Sequence, residues 1–371
     1  MAGRGVAMLT VVIPVHGVAA DLPACLDSVL ADPTAEVEVV AIDDCSPDSS
    51  GDILDDYARR DPRLRVVHLS TNVGLGPARN TGLQHARGEY VWFVDGDDLL
   101  PAGALRAVVD RLTTTRPDVL IVDHVERFDD GRTVAGTPAG SLAGPCGPLA
   151  DRPHLLHLAQ SACTKVVRRG LLETTGLRFA TGWYEDCAYT HPLLLSAERI
   201  DTLDRVCYLY RKRTAAGGIT GTRSARHFEV FEQYQRLFTV VDTMTPAHER
   251  FRGDLFRIMI DHLLVILGND RRLPPTLRRE FFRRIAADYR RWLPADGYPV
   301  PGGAPGLKHR LVRHNAYWAY LALRTAYRMV GRLRRGERPG PAQPAVALPT
   351  QRSATTHRST AAPAPVQVRR R

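Results

Sequence analysis

GEYVWFVDGDDLL, residues 88–100, is the stretch from which the rest of the chain can be read. Tyr90 to Val94 is an unbroken aromatic and β-branched run, as expected of a strand covered on both faces of a parallel sheet. It passes directly into Asp95-Gly96-Asp97-Asp98. Two carboxylates one residue apart at a strand end can share a hard divalent cation, and oxygen-only ligation suits magnesium or manganese. Such an ion keeps waters and takes phosphate oxygens as its remaining ligands. The plainer alternative is a charged turn ahead of the helix that Pro101 opens.

Outward from this stretch the same unit recurs. Strands are predicted over 9–15, 37–42, 64–69, 90–94 and 119–122, with helices over 22–30, around Ile53 to Tyr57, over 76–85 and after Pro101. Leu22, Leu26, Val29 and Leu30, for example, fall on one helical face. Strands alternating with helices predict an α/β domain with a largely parallel sheet, whose ligands bind beyond the carboxyl ends of the strands. A second acidic cluster, Asp43 and Asp44 with Ser46 and Asp48, leaves the second strand at such an end. A carboxylate there can accept hydrogen bonds from a base N–H or a ribose hydroxyl. Helix capping accounts for Asp48 but not for Asp43 and Asp44. In Gly74-Leu75-Gly76-Pro77-Ala78-Arg79 the glycines can simply supply turns, while Arg79 near a helix start could pair with a phosphate. Trp183-Tyr184-Glu185-Asp186 offers a stacking platform and a general base, or else an acidic first turn complementing a helix dipole. Residues 125–150 read as loop. Residues 161–169 and 205–211 read as further strands, and from about His227 onward the pattern is helical and Arg-rich.

The chain has 371 residues, 44% hydrophobic and 24% charged, which excludes wholesale disorder and suggests two or three domains. No apolar run reaches the ~18 residues of a spanning helix. Met8 to Val15 reads as a buried strand rather than an export signal, because Pro14 and His16 end it early. Six scattered Cys make no zinc spacing, and a cytosolic, reduced chain is expected. Residues 1–130 carry eleven basic and twenty-two acidic side chains; the remainder carries 39 basic and 18 acidic ones. An acidic half suits a metal, and a basic half suits an anionic surface or polymer. Basic amphipathic segments over 305–335 read either as lying on an anionic membrane or as packing on the chain's own catalytic domain with snorkelling arginines. No nucleic-acid motif is present, so no nucleic-acid partner is expected. Residues 339–371, with six Pro, five Arg and no acid, read as disordered.

The combination resembles the family-2 glycosyltransferases, inverting nucleotide-sugar enzymes of GT-A fold. TVVIPVH (10–16), VVAIDDCSPDSS (39–50), NVGLGPARNTGL (72–83) and GEYVWFVDGDDLL (88–100) carry the resemblance, with WYEDCAYTHPLLL (183–195) and YLYRKRTAAGGIT (208–220) as looser continuations. The nearest flavour is that of actinobacterial transferases of cell-surface polymer synthesis. The resemblance implies a GT-A, Rossmann-like α/β fold with a mixed sheet flanked by helices and a helical C-terminal extension. The implied division is a catalytic domain over 1–225, a basic helical region over 226–338 and the tail over 339–371. It further implies that Pro14 and His16 line the nucleotide pocket, that Asp44 binds the base with Asp43 beside it, and that Arg79 sits near the nucleotide or its phosphates. Asp95 would contact the ribose and the metal shell, Asp97 would ligate Mn2+ or Mg2+, Asp186 would be the general base with Glu185 as its neighbour, and Arg211 and Arg213 would approach the pyrophosphate. His16 is a mild departure from the Ser, Thr or Tyr common there. The implied partners are a nucleotide-sugar donor, UDP-linked, and a glycan, lipid-linked or cell-surface polymer acceptor. A cytoplasmic place, peripheral at the inner membrane face, goes with them. The rival readings are a nucleotidyltransferase, a CDP-alditol phosphotransferase or a non-catalytic nucleotide-binding module.

Overall fold

The continuous apolar strands sit where their composition requires. In the computed structural model, which describes residues 7–33, 36–212, 218, 221–244 and 246–336, β1 (Leu9–Val15) is buried at every position. It lies between β2 (Val37–Asp43) and β4 (Tyr90–Phe93), parallel to both, and β3 (Leu64–His68) continues the parallel set beside β2. The sheet runs β3-β2-β1-β4-β7-β5-β6, with β8 paired to β5. Strand order reverses at β1, so a crevice opens beyond the carboxyl ends of β1, β2 and β4, where open α/β sheets bind ligands.

The other half of the sheet makes it mixed. β7 (Lys165–Arg168) runs antiparallel between β4 and β5 (Val119–Phe128). β5 is longer than the sequence pattern suggests, because β6 (Thr133–Ala135) pairs with its end inside the stretch expected to be loop. β8 (Ile200–Lys212) is also longer than its expected span and lies parallel to β5. Register shifts between Val122 and His124 break the two-residue alternation that would have marked its first half. The expected strand over 161–169 begins instead with a single tight turn, Ala162–Thr164.

Helices cover both faces. On one face α1 (Leu22–Leu30), α2 (Ser50–Arg60) and α4 (Ala104–Thr115) supply Leu26, Leu54 and Val108 to a core shared with Val11, Val39 and Trp92. On the other, Val12, Val91 and Phe93 share one core with Leu83 of α3 (Leu75–His85), Leu172 of α5 (Arg169–Thr175) and Leu193 of α6 (Glu185–Ser196). The same core continues through α7 (Glu229–Thr243), α8 (Arg252–Gly268), α9 (Arg278–Trp292), α10 (Gly303–Arg313) and α11 (Tyr317–Gly336). Phe238, Met259 and Ile285 are its fully buried representatives. The expected tail over 339–371 lies outside the described residues. Among the described residues no helix is long and apolar enough to cross a membrane.

One close approach sets the position of the site. A Cβ on Gly82 would stand 2.2 Å from Val12 Cγ1, and one on Gly76 would stand 2.3 Å from the Ala180 carbonyl oxygen. Glycine at these two positions lets α3 press against β1 and against the segment leading to α6. Arg79, between them, is thereby driven into the interior.

Candidate active site

The four-residue turn after β4 is held by a strand far away in sequence. Tyr208 on β8 donates its hydroxyl to Asp98 Oδ2 at 2.6 Å, and the Arg211 backbone N–H donates to Asp98 Oδ1 at 2.8 Å. The Asp95 N–H in turn donates to the Tyr208 hydroxyl at 3.2 Å. Asp98 is therefore the structural member of the acidic turn. Burial, followed by the charges of Asp95 and Asp97, raises its pKa well above the usual carboxylate range.

Asp97 is different. Its pKa is also raised, first by burial and then by Asp95, yet among the described residues no other side chain bonds to its carboxylate. The Arg211 guanidinium reaches only the Asp97 backbone oxygen, and it pairs at 3.1 Å with Asp21. A desolvated carboxylate beside a second one, without a side-chain partner of its own, is a donor set that a divalent cation fits. Asp95 and Asp97 would be the residues holding it. No group of three or more His, Cys, Asp or Glu side chains among the described residues could hold a metal alone. Any ion here would take its remaining ligands from water and a bound phosphate.

Arg79 ties this turn to the second acidic motif. Its Nη2 donates to Asp95 Oδ1 at 2.8 Å, while Nη1 donates to Glu185 Oε1 at 2.8 Å and to Asp186 Oδ1 at 3.0 Å. The side chain is 1% exposed, and its guanidinium also faces the Phe179 ring at 5.2 Å. This differs from the phosphate contact expected of it. α3 turns Arg79 into a nest of three carboxylates, which leaves it no open face for a phosphate. Asp186 keeps 23% of its side chain exposed, against 4% for Glu185. Burial raises the pKa of both; Arg79 opposes the rise, and Glu185 is pushed up to about 7 by burial and then by Asp186. Tyr184, immediately before them, holds a left-handed φ of 66°, unusual for a bulky residue. Its hydroxyl lies 2.6 Å from His227 Nδ1, so tertiary contacts maintain that turn and the direction in which α6 starts.

The loop facing Asp186 is built around Lys165. This lysine is 1% exposed on β7 and donates its ammonium to Ser161 O at 3.1 Å, to Thr164 Oγ1 at 2.9 Å and to the Ala159 carbonyl. Burial lowers its pKa to about 8. The pinned loop brings the Ala162 backbone near Asp186, where it opposes the burial-driven rise in that carboxyl's pKa, and places the Cys163 sulfur 3.7 Å from Arg79 Nη2. Its Cys163 carbonyl accepts the Trp92 indole N–H at 2.7 Å. Sequence reasoning missed Lys165, Cys163 and Tyr208. Only the alternation of Tyr208 and Tyr210 on one strand face hinted at the last.

Beyond the ends of β1 and β2, Pro14 is buried in β1 opposite Ile42, and His16 is exposed just past it. His16 Nδ1 lies 2.9 Å from the Asp44 carbonyl oxygen and 3.0 Å from Asn72 Nδ2. Asp44 is 3% exposed, and its oxygens accept the N–H groups of Val73 and Gly74 at 2.7 and 2.8 Å. It thereby fastens the glycine loop ahead of α3. Asp43 accepts from Ser46 N at 3.0 Å and faces His68 Nδ1 at 2.9 Å. Burial works against its ionisation, but these bonds hold its pKa below the ordinary value. The structure thus gathers Arg79, Asp95, Asp97, Glu185, Asp186 and Arg211 around one turn, and Pro14, His16, Asp43 and Asp44 along the neighbouring strand ends. Arg213 lies outside the described residues.

Comparison with known proteins agrees with this architecture. Residues 10–175 match the family model described as Glycosyl transferase family 2. Over 211 residues the chain is 29% identical to the uncharacterized glycosyltransferase EpsJ of Bacillus subtilis, covering 55% of this chain and 61% of EpsJ. It is 32% identical over 181 residues to the poly(ribitol-phosphate) beta-N-acetylglucosaminyltransferase TarS of Staphylococcus aureus, covering 48% of this chain and 30% of TarS. The chain therefore spans less than two thirds of either relative. The crystal structure of S. aureus TarS 1–349 in complex with UDP-GlcNAc superposes with a TM-score of 0.66 at 22% identity, covering 86% of this chain and 91% of that one. At that identity the likeness is one of fold.

Proposed function

We propose that this chain, which belongs to the family-2 GT-A glycosyltransferases through its domain at residues 10–175, moves a sugar from a nucleotide-diphospho-sugar, UDP-linked, to a hydroxyl of a glycan, lipid-linked or cell-surface polymer. The catalytic segment is taken as 1–225 and the basic helical region as 226–338. The enzyme works in the cytoplasm, in peripheral contact with the inner face of an anionic membrane.

The observation that carries this reading is the shared guanidinium of Arg79. It holds Asp95 and Asp186 at 2.8 and 3.0 Å, so a carboxylate suited to the donor's diphosphate end and a carboxylate suited to the acceptor lie on opposite sides of one fixed cation. Pro14, His16, Asp43 and Asp44 form the wall for the nucleoside, with Asp44 shaping the glycine loop. A Mn2+ or Mg2+ on Asp95 and Asp97 would neutralise the diphosphate leaving group as its charge develops. Asp186 accepts the proton of the attacking hydroxyl. Burial keeps this carboxylate basic, and Arg79 fixes its direction. The acceptor oxygen forms its bond to the anomeric carbon as the bond to the diphosphate breaks, so a single displacement inverts the configuration. No covalent enzyme intermediate arises, and Cys187, buried against Gln160, remains a packing residue. Arg79 is a positioning residue. Arg211, which orders the acidic turn, and Arg213 would approach the pyrophosphate as the donor binds.

The test is a thermal-shift screen of nucleotide sugars with manganese, since a bound donor stabilises the native state by mass action. Product analysis of wild type and Asp186→Asn follows. We expect nucleoside diphosphate as the product, and Asp186→Asn to lose about 10²–10⁴-fold in transfer while keeping the donor-induced shift. Release of pyrophosphate or nucleoside monophosphate, or full transfer by Asp186→Asn, would overturn the reading.

A further inference from the structure

Several arginines in the C-terminal helices are ion-paired, Arg252 with Asp242, Arg257 with Asp261 and Arg284 with Asp288 among them. Arg278, Arg324 and Arg328 all pair with Asp270. Arg279, Arg283 and Arg290 make no ion pair among the described residues. Spaced four and seven apart, they fall within roughly 40° of one another around α9. Two of them, Arg279 and Arg283, line a cavity of about 280 Å³ whose opposite side is the start of α11, including Trp318. No acidic side chain lines this cavity.

The apolar side of the same surface is also exposed. Trp318 is 65% exposed and Met329 58%, although most large apolar side chains of the helical region are buried. Trp318, Ala322 and Met329 also fall within roughly 40° on α11, forming an exposed uncharged stripe about three turns long. Arg279 lies 5.5 Å from the centre of the Trp318 ring, so the row of cations and the apolar stripe adjoin. Cationic side chains beside an exposed Trp and an apolar helix face suit the boundary between headgroups and acyl chains. The chain's own terminus is the wrong partner by charge. From Arg338 onward it holds six Arg and no Asp or Glu, and would be repelled by this face.

We propose that the surface formed by Arg279, Arg283, Arg290 and the Trp318–Met329 stripe docks on an anionic lipid bilayer, with a lipid phosphate entering the cavity between Arg279, Arg283 and Trp318. This deepens the membrane contact within the reading above, but it requires no glycosyl transfer. The full chain is titrated, without donor, with phosphatidylglycerol–phosphatidylcholine vesicles and with pure phosphatidylcholine vesicles. Cosedimentation and tryptophan emission are the readouts. Wild type binds the anionic vesicles with a blue shift that Trp318→Ala abolishes. Arg279→Gln/Arg283→Gln weakens binding on the order of thirty-fold, each charge near the surface counting about fivefold. Both variants keep the wild-type melting temperature and transfer to a soluble acceptor, so loss of the surface is separable from failure of the catalytic reading. Equal binding to both vesicles, unchanged affinity in the double variant, or Trp318 emission already blue-shifted without vesicles, as if the terminus covered it, would each overturn the proposal. So would affinity for inorganic phosphate or DNA in place of vesicles.

Discussion

Replacing Arg79 with Met leaves Asp95, Glu185 and Asp186 packed together without their shared cation. The three contacts lie at 2.8–3.0 Å, and Arg79 is 1% exposed. At an effective dielectric of about 20, each contact is a gross attraction of ~6 kcal/mol, most of it offset by desolvation. Removing one partner of such a buried group costs about 3–5 kcal/mol net. For a folded unit of this size that corresponds to a fall of roughly 6–10 °C in melting temperature. The loss depends on pH, and its sign follows from proton binding. Glu185 is already raised to about 7 in the folded protein, against about 4.3 unfolded. Without Arg79 it rises further. A carboxyl group with a raised folded pKa binds more protons folded than unfolded, so stability declines as pH rises through that window. The deficit of Arg79→Met should therefore be small at pH 5 and largest at pH 9. Thermal melts of wild type, Arg79→Met and Arg79→Met/Glu185→Gln at pH 5, 7 and 9 make the measurement. The double variant, with one carboxylate fewer, should recover part of the loss at pH 9. A deficit equal at pH 5 and pH 9, or below about 2 °C throughout, would refute the claim that Arg79 is the countercharge of this site.

Two further outcomes are expected. Asp97→Asn should melt at or slightly above the wild-type temperature, because it removes a desolvated charge that no other side chain bonds, yet it should lose the manganese-dependent part of any donor-induced shift. A manganese-dependent shift retained in this variant would remove Asp97 from the metal site. Asp270→Ala should loosen α11, whose Arg324 and Arg328 it anchors. Its amides over 317–329 should exchange about fivefold faster, equivalent to ~1 kcal/mol after discounting for a side chain 43% exposed; unchanged exchange by mass spectrometry would show that hydrophobic packing alone holds the helix.

Local pattern alone was enough to locate the parallel half of the sheet. LTVVIPV, Thr10 apart, and YVWFV are continuous apolar runs because both of their faces are covered, and the acids after the second and fourth strands mark the strand ends at which the crevice opens. The acidic first turn of α6 was legible for a similar reason, as Glu185 and Asp186 behind two aromatic residues, but that pattern alone does not separate a general base from a helix-dipole partner, and the role of Asp186 rests on the family resemblance. What remained illegible depends on partners far away in the chain. Arg79 meets Glu185 across 106 residues, and Tyr208 meets Asp98 across 110. Periodicity extends over one helix or strand, so it carries no trace of such pairings. It therefore left open whether Arg79 faces a phosphate or three carboxylates. Only the close approach of α3 to β1 at Gly82 decided that, by leaving Arg79 no space except the interior. The first half of β8 and the role of Lys165 escaped for the same cause. A bulge cancels the strand's alternation, and a buried lysine satisfied by backbone carbonyls resembles, in sequence, any lysine at the start of a strand.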